Sequence, residues 1–193
     1  MTQLLFFLAG AAYLAQLALF ARLHLRGGRD PVSEAVSDYG VGPSRRLFAL
    51  YGAAGIAAAA VLAGALLADG RFPAQGWLYL LAMAALRLGV LAFPTDLEGE
   101  RLTRSGKAHY LFAVASFALA YMAVDALSPS AASLAAAWAR PVLNGLGWVV
   151  AASLAGVVIC LIPALRRIFG LVERIFLLSV LLWLGIFAFA MAG

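Results

Sequence analysis

Redox-active and metal-ligating side chains are scarce in this chain. Its 193 residues include one cysteine, Cys160, and two histidines, His24 and His109. A single cysteine excludes an intrachain disulfide. Cys160 lies in the apolar run Val157–Leu161, where a small packing residue is expected. Two histidines exclude a three-histidine metal site, and neither an HExxH motif nor a Cys/His set with zinc spacing occurs, so no metal is expected. A bis-histidine haem is the one cofactor the count allows. Both histidines fall at the ends of their predicted helices rather than inside a bundle, so no cofactor is expected beyond a bound lipid. There is also no Walker-type phosphate loop and no dinucleotide glycine fingerprint.

Charge is the second scarcity. Charged residues make up 12% of the chain and hydrophobic ones 65%, against about 25% and 45–50% in a soluble domain. One soluble core cannot hide that much apolar surface, whereas a bilayer can. The net charge of +5 would suggest nucleic acid in a soluble protein. Here Arg and Lys near helix ends have the plainer role of orienting the chain in a membrane, and no nucleic-acid partner is expected.

Six apolar segments are long enough to cross about 30 Å of hydrocarbon. They fall at approximately 2–23, 46–68, 76–93, 108–127, 142–164 and 171–192. This predicts an all-α polytopic protein, a single bundle of six transmembrane helices forming one domain over 1–193. The breaks are Asp69–Pro73, Phe93–Asp96, Ser128–Pro129, and the stretch from Pro163 to Arg167. The first segment is not a signal peptide by pattern, because no cation precedes its apolar core and Arg22, Arg26 and Arg29 follow it. Ser130–Arg140, Ala-rich and bounded by Pro129 and Pro141, is too short to span. It is expected to lie at the outer surface as a helix anchored by Trp138. Small residues in the second and fifth segments (Gly52, Gly55, Ala57–Ala60, Gly64, Gly145, Gly147) suit close helix packing.

Lys and Arg are distributed unequally. The first, third and fifth loops with their flanks hold Arg22, Arg26, Arg29, Arg45, Arg46, Arg101, Arg104, Lys107, Arg166, Arg167 and Arg174. The second and fourth hold only Arg71 and Arg140. Eleven against two places the odd-numbered loops in the cytoplasm and both termini on the outer side.

Polar chemistry gathers on that cytoplasmic side. The first loop is the longest connection, and its Val32, Ala35, Val36 and Tyr39 would share one face of a short turn opposite Glu34 and Asp38. Ser33, Ser37 and Ser105 are candidate nucleophiles, none favoured over the others. In the third loop, Asp96 follows the proline that ends the third helix, and His109 is expected in the first turn of the fourth, with Ser105 as its cap. Arg87 is the most informative residue. It stands six residues before Phe93, roughly 9 Å inside the helix end. A membrane-buried Arg costs roughly 2.5–3.5 kcal/mol unless it is paired or reaches water. Arg87 therefore faces a polar cavity or snorkels to lipid phosphates, with Asp96, Asp38 or Glu34 as pairing candidates. Asp125 and Asn144 are the main polar residues of the other side, and Gln16 is placed to bond across helices.

The segments Asp30-Pro-Val-Ser33 and Ser37-Asp38-Tyr-Gly40, followed by Phe93-Pro-Thr-Asp96, Thr103, Gly106 and His109, resemble the DUF998 family of bacterial and archaeal membrane proteins. That family is similar to the FRAG1/DRAM/Sfk1 group of eukaryotic membrane proteins, which is linked to lipid distribution, membrane traffic and autophagy. The resemblance covers nearly the whole chain. It implies about six helices, a bacterial cytoplasmic (inner) membrane and some weight toward a lipid-related role, and it assigns no activity and no catalytic residue. The leading expectation is a non-enzymatic protein that binds a lipid or amphiphilic anion in a cytoplasmic-side cavity built from Arg87, Asp96, His109, Asp38, Ser37 and Thr95. It would act as a lipid-organising factor or as an accessory subunit of a membrane complex, with membrane lipids, a larger complex or further copies of itself as partners. Two alternatives stand beside it. One is an intramembrane enzyme acting on a lipid head group, with His109 as base and Asp96 orienting it. The other is a small transporter, against which the chain shows no inverted repeat.

Overall fold

A computed structural model describes residues 1–97 and 101–193. Glu98, Gly99 and Glu100 of the third loop lie outside the described residues. Among the described residues there are six long helices and no strand: α1 (Thr2–Arg26), α2 (Arg45–Asp69), α3 (Ala74–Ala92), α4 (Arg104–Leu134), α5 (Ala139–Ile159) and α6 (Phe169–Ala192). All six are long and apolar enough to cross a membrane. The protein is a multi-pass membrane protein, and the reason is backbone chemistry: in hydrocarbon, each N–H and C=O needs an internal partner, which a helix supplies.

Neighbours in sequence are neighbours in space from α1 through α4, and α6 closes the ring against α1. α6 is the most buried span and also touches α4 and α5. The contact between α4 and α5 is the sparsest between successive helices and leaves a groove. Glycines set the close approaches. A Cβ on Gly76 would lie 2.5 Å from Leu127, on Gly89 2.5 Å from Phe112, on Gly52 2.7 Å from Leu91 and on Gly10 2.8 Å from Phe189. Not every small residue has this role, since Gly64 and Gly145 have nothing within 4 Å.

The helix ends follow local rules, and several differ from the expected limits. Gly70 takes φ +76, the left-handed cap that ends α2, and its N–H bonds to the Leu66 carbonyl. α5 stops at Ile159 rather than 164 because Pro163 forces Ile162 into an extended conformation (ψ 126). α4 begins at Arg104, and its cap is Thr103, whose hydroxyl accepts from the Gly106 N–H at 3.1 Å. Ser105 instead donates to the Pro94 carbonyl, and His109 falls in the second turn.

Ser128-Pro129 does not end α4, and the expected surface helix over Ser130–Arg140 does not form. α4 continues to Leu134, Ala135 turns extended, and α5 restarts at Ala139. Proline removes one backbone donor. The carbonyl left without a helical donor is that of Asp125, while the Ser128 hydroxyl bonds to the Val124 oxygen at 2.7 Å and that of Ser133 to the Pro129 oxygen at 3.0 Å. Trp138 is exposed at the junction, in keeping with an interfacial anchor.

Two classes of glycine should respond oppositely to substitution. Gly76→Leu and Gly89→Leu overpack α3 against α4 and should destabilise the fold by about 1–3 kcal/mol. Gly64→Ala meets open space and should be neutral or stabilising by up to about 1 kcal/mol. Thermal unfolding of the purified protein in detergent measures both, and equal effects at all three positions would contradict this packing.

Candidate functional site

The site is assembled by loop one, between α1 and α2, folding onto the first turns of α6. The loop begins with an Asx turn. The Asp30 carboxylate accepts from the Val32 N–H at 3.1 Å, the Ser33 N–H at 3.3 Å and the Ser33 hydroxyl. Arg29 pairs with Glu34 at 2.9 Å and also donates to the Asp38 carbonyl. Asp38 accepts from the Ala35 N–H at 2.9 Å, which closes a 3₁₀ turn over Val36–Gly40. Val36 and Tyr39 are buried by that turn, whereas Val32 stays exposed.

α6 holds the loop with two consecutive buried charges. One Glu173 carboxylate oxygen accepts the Val36 N–H at 2.7 Å. Arg174 Nη1 donates to the Glu34 carbonyl at 2.6 Å and to the Gly170 carbonyl at 2.9 Å, and its Nε donates to His24 Nε2 at 2.8 Å. His24 Nδ1 lies 2.7 Å from the Phe20 carbonyl, so Nδ1 carries the proton and Nε2 is the acceptor. The Tyr39 ring lies 5.8 Å from the Arg174 guanidinium carbon. Gly170 makes this seat possible, because a Cβ there would run into the Glu34 carbonyl. Arg174, expected among the loop cations, is thus a buried residue of α6. The charge bias between the two faces falls from eleven to ten against two and keeps its direction.

Beneath loop one lies a cavity of about 60 Å³ enclosed by α2, α3, α4 and α6. Arg87, His109, Tyr51, Ser116 and Glu173 contribute its polar lining, and Val36 and Ser37 close it on the loop side. The Arg87 guanidinium packs over Gly55, where a Cβ would sit 3.0 Å from Nη1. The Tyr51 hydroxyl lies within bonding reach of both Arg87 and Gln16. Gln16 is buried, in line with its expected bond across helices. Arg87 makes no ion pair among the described residues. His109 is buried, its Nδ1 lies 2.8 Å from the Phe93 carbonyl, and its Nε2 has no partner.

Of the six expected site residues, Arg87, His109 and Ser37 line the cavity. Asp96, Thr95 and Asp38 do not. Both Asp96 oxygens are taken by Thr103, from its N–H at 2.7 Å and its hydroxyl at 2.9 Å, and Thr95 bonds to the Asp96 carbonyl. These residues shape the α3–α4 connection, while Asp38 shapes loop one. Nor do Glu34 and Asp96, two of the expected partners, pair with Arg87, since Glu34 pairs with Arg29 and both Asp96 oxygens bond Thr103. Glu173, Tyr51 and Ser116 were not anticipated. The one sequence signal for Glu173 is an adjacent Glu-Arg pair opening the most apolar segment.

The loop motifs and the six-helix frame have a counterpart among known families. A family model described as a protein of unknown function, DUF998, matches residues 7–190. The chain belongs to the DUF998 family. No curated protein and no solved structure matches this DUF998 chain.

Arg174→Ala removes three hydrogen bonds, one to a buried and two to partly buried acceptors, each worth up to about 1.5–3 kcal/mol from a charged donor. Arg174→Lys should not restore them, because an ammonium lacks the guanidinium fork. Hydrogen exchange of the amides over 32–39 should rise at least tenfold in both variants, and unchanged protection would contradict the clasp. Acid should act on the same loop. Hydrogen bonds from Ser33 and Val32 hold the Asp30 carboxyl below its usual range, and those from Asp30 and Arg29 do the same for Glu34. Stability from a depressed carboxyl is complete above its unfolded pKa, about 3.9 for Asp and 4.3 for Glu. It is lost as pH falls through the lower folded value. The contribution of these two carboxyls to loop-one protection, corrected for intrinsic exchange and read as the difference between wild type and Asp30→Asn, should therefore be complete above about pH 5 and be lost only below about pH 4.

Proposed function

We propose that this DUF998 protein binds the anionic group of a lipid or similar amphiphile in the cavity beneath loop one, with Arg87 as the recognising cation. The observation that carries this reading is an intramembrane guanidinium that lines a cavity and forms no ion pair among the described residues. Such a charge costs roughly 2.5–3.5 kcal/mol to insert, a cost that a bound anion offsets. Glu173 shares the cavity, but its carboxylate is committed to the Val36 N–H and lies beside Arg174. A volume of about 60 Å³ is several times the roughly 10–15 Å³ that one water needs. It suits a carboxylate or part of a phosphate, with the remainder of the amphiphile outside. His109 adds an acceptor: with its Nδ1 proton directed at the Phe93 carbonyl, Nε2 offers a lone pair to a hydroxyl of the ligand or to a water. Ser37 is a further candidate contact from the loop.

The charge asymmetry supports an orientation with the loop-one face in the cytoplasm and both termini outside, and a bacterial cytoplasmic membrane is the location this reading takes. Binding at that face suits a lipid-organising factor or an accessory subunit of a membrane complex. The enzymatic alternative loses support, because an Asp96–His109 dyad would need atoms that Thr103 and the Phe93 carbonyl already occupy.

Native mass spectrometry of the protein purified from membranes tests the reading. Anionic lipid adducts on the wild-type chain should fall about tenfold or more in Arg87→Ala, the loss expected from one charge-assisted contact. Arg87→Lys, which retains the charge, should keep part of them. The same bound lipids in wild type and Arg87→Ala would overturn it.

A further inference from the structure

The bundle carries a second and larger cavity at the opposite end, in the groove that α4 and α5 leave between them. Its volume is about 300 Å³, and neither the cavity beneath loop one nor the family assignment accounts for it. Asp125 and Arg140 both line it and are exposed, yet they form no ion pair with each other among the described residues. Two opposite charges that face one groove near the membrane surface without neutralising each other can each take a complementary charge of a bound head group.

The depth of each lining residue can be read from the helices. Leu127 packs against Gly76 in the first turn of α3, and Asp125 lies two residues deeper, about 3 Å. Asn144 is five residues into α5, roughly 7 Å below its start, and Ala151 is twelve residues in, roughly 18 Å below. The groove is therefore polar toward the membrane surface, with Arg140, Asp125 and Asn144. It becomes apolar with depth, at Trp148, which is 74% exposed, and at Ala151. That gradient fits an amphiphile standing with its head outward. The two charges further specify the head. Arg140 already donates from Nε to the Ala135 carbonyl at 2.8 Å and from Nη2 to the Ser133 carbonyl at 3.1 Å, which fixes the guanidinium and leaves Nη1 for an anion. The Asp125 carboxylate and the Asn144 amide oxygen accept hydrogen bonds, as a primary ammonium requires.

We infer that the α4–α5 groove binds a zwitterionic phospholipid of the phosphoethanolamine class, its phosphate at Arg140 and its ammonium at Asp125. The choline analogue has no N–H to donate to Asp125, and a phosphoglycerol head has no cation to place there.

Native mass spectrometry of the delipidated full-length protein, titrated separately with phosphatidylethanolamine, phosphatidylcholine and phosphatidylglycerol of matched chains, tests this. Wild type should fill first with phosphatidylethanolamine. Asp125→Asn, nearly isosteric and at an exposed position, should raise the concentration for half-occupancy about tenfold and leave phosphatidylglycerol binding unchanged. Arg87→Ala should keep the phosphatidylethanolamine preference, which separates this site from the one beneath loop one. Equal phosphatidylethanolamine occupancy in wild type and Asp125→Asn would overturn the inference. So would a dimer that dissociates in Asp125→Asn or Trp148→Ala, which would assign the groove to a second copy of the chain.

Discussion

The cavity depends on the clasp that Glu173 and Arg174 make between α6 and loop one. Both charges are buried, and a buried charge is stabilising only when hydrogen bonds replace its lost hydration. Arg174 meets that condition with two backbone carbonyls and the His24 ring, leaving only Nη2 without a protein partner, and Glu173 meets it with the Val36 N–H. The clasp joins three separate parts of the chain: the end of α1, the middle of loop one and the start of α6. Because these contacts are mostly to backbone, they hold the loop's course rather than one particular side chain. Val36 and Ser37 thereby become the cover of a cavity instead of part of a solvated connector.

Beneath that cover, Arg87 is positioned by what α1 and α2 omit as much as by what they supply. Gly55 gives the guanidinium room, and the Tyr51 hydroxyl, itself within reach of Gln16, gives it a neutral partner. No carboxylate neutralises it directly among the described residues. The cation is held in place without a direct counter-charge among the described residues, as the proposed binding role requires.

The architecture was legible because the bilayer imposes a length and an apolar content on each spanning segment. Six segments, their order and the lopsided distribution of Arg and Lys could therefore be read directly. Arg87 was legible for the same reason, as a charge where lipid tolerates none. The helix limits failed where a helix carries a proline inside it, as when α4 runs through Pro129 to Leu134. The site was only half visible. Asp96 and Thr95 look like site residues in a one-dimensional string, but the connection between α3 and α4 consumes their hydrogen-bonding capacity. Glu173 was invisible because its relation to Arg87 exists only once α6 is packed across from α3. Arg174, counted as a loop cation, is separated from its partner His24 by 150 positions.

The bundle thus has two features of different kinds, a small, mostly apolar cavity lined by an unneutralised cation under loop one and a larger amphipathic groove at the other end. The central claim concerns the first, and an experimental density map of the protein in lipid nanodiscs tests it most directly. The account predicts non-protein density within hydrogen-bonding distance of the Arg87 guanidinium, beneath a loop one held by Arg174. A cavity collapsed or filled by side chains, with Arg87 extended to the lipid phosphates, would contradict it.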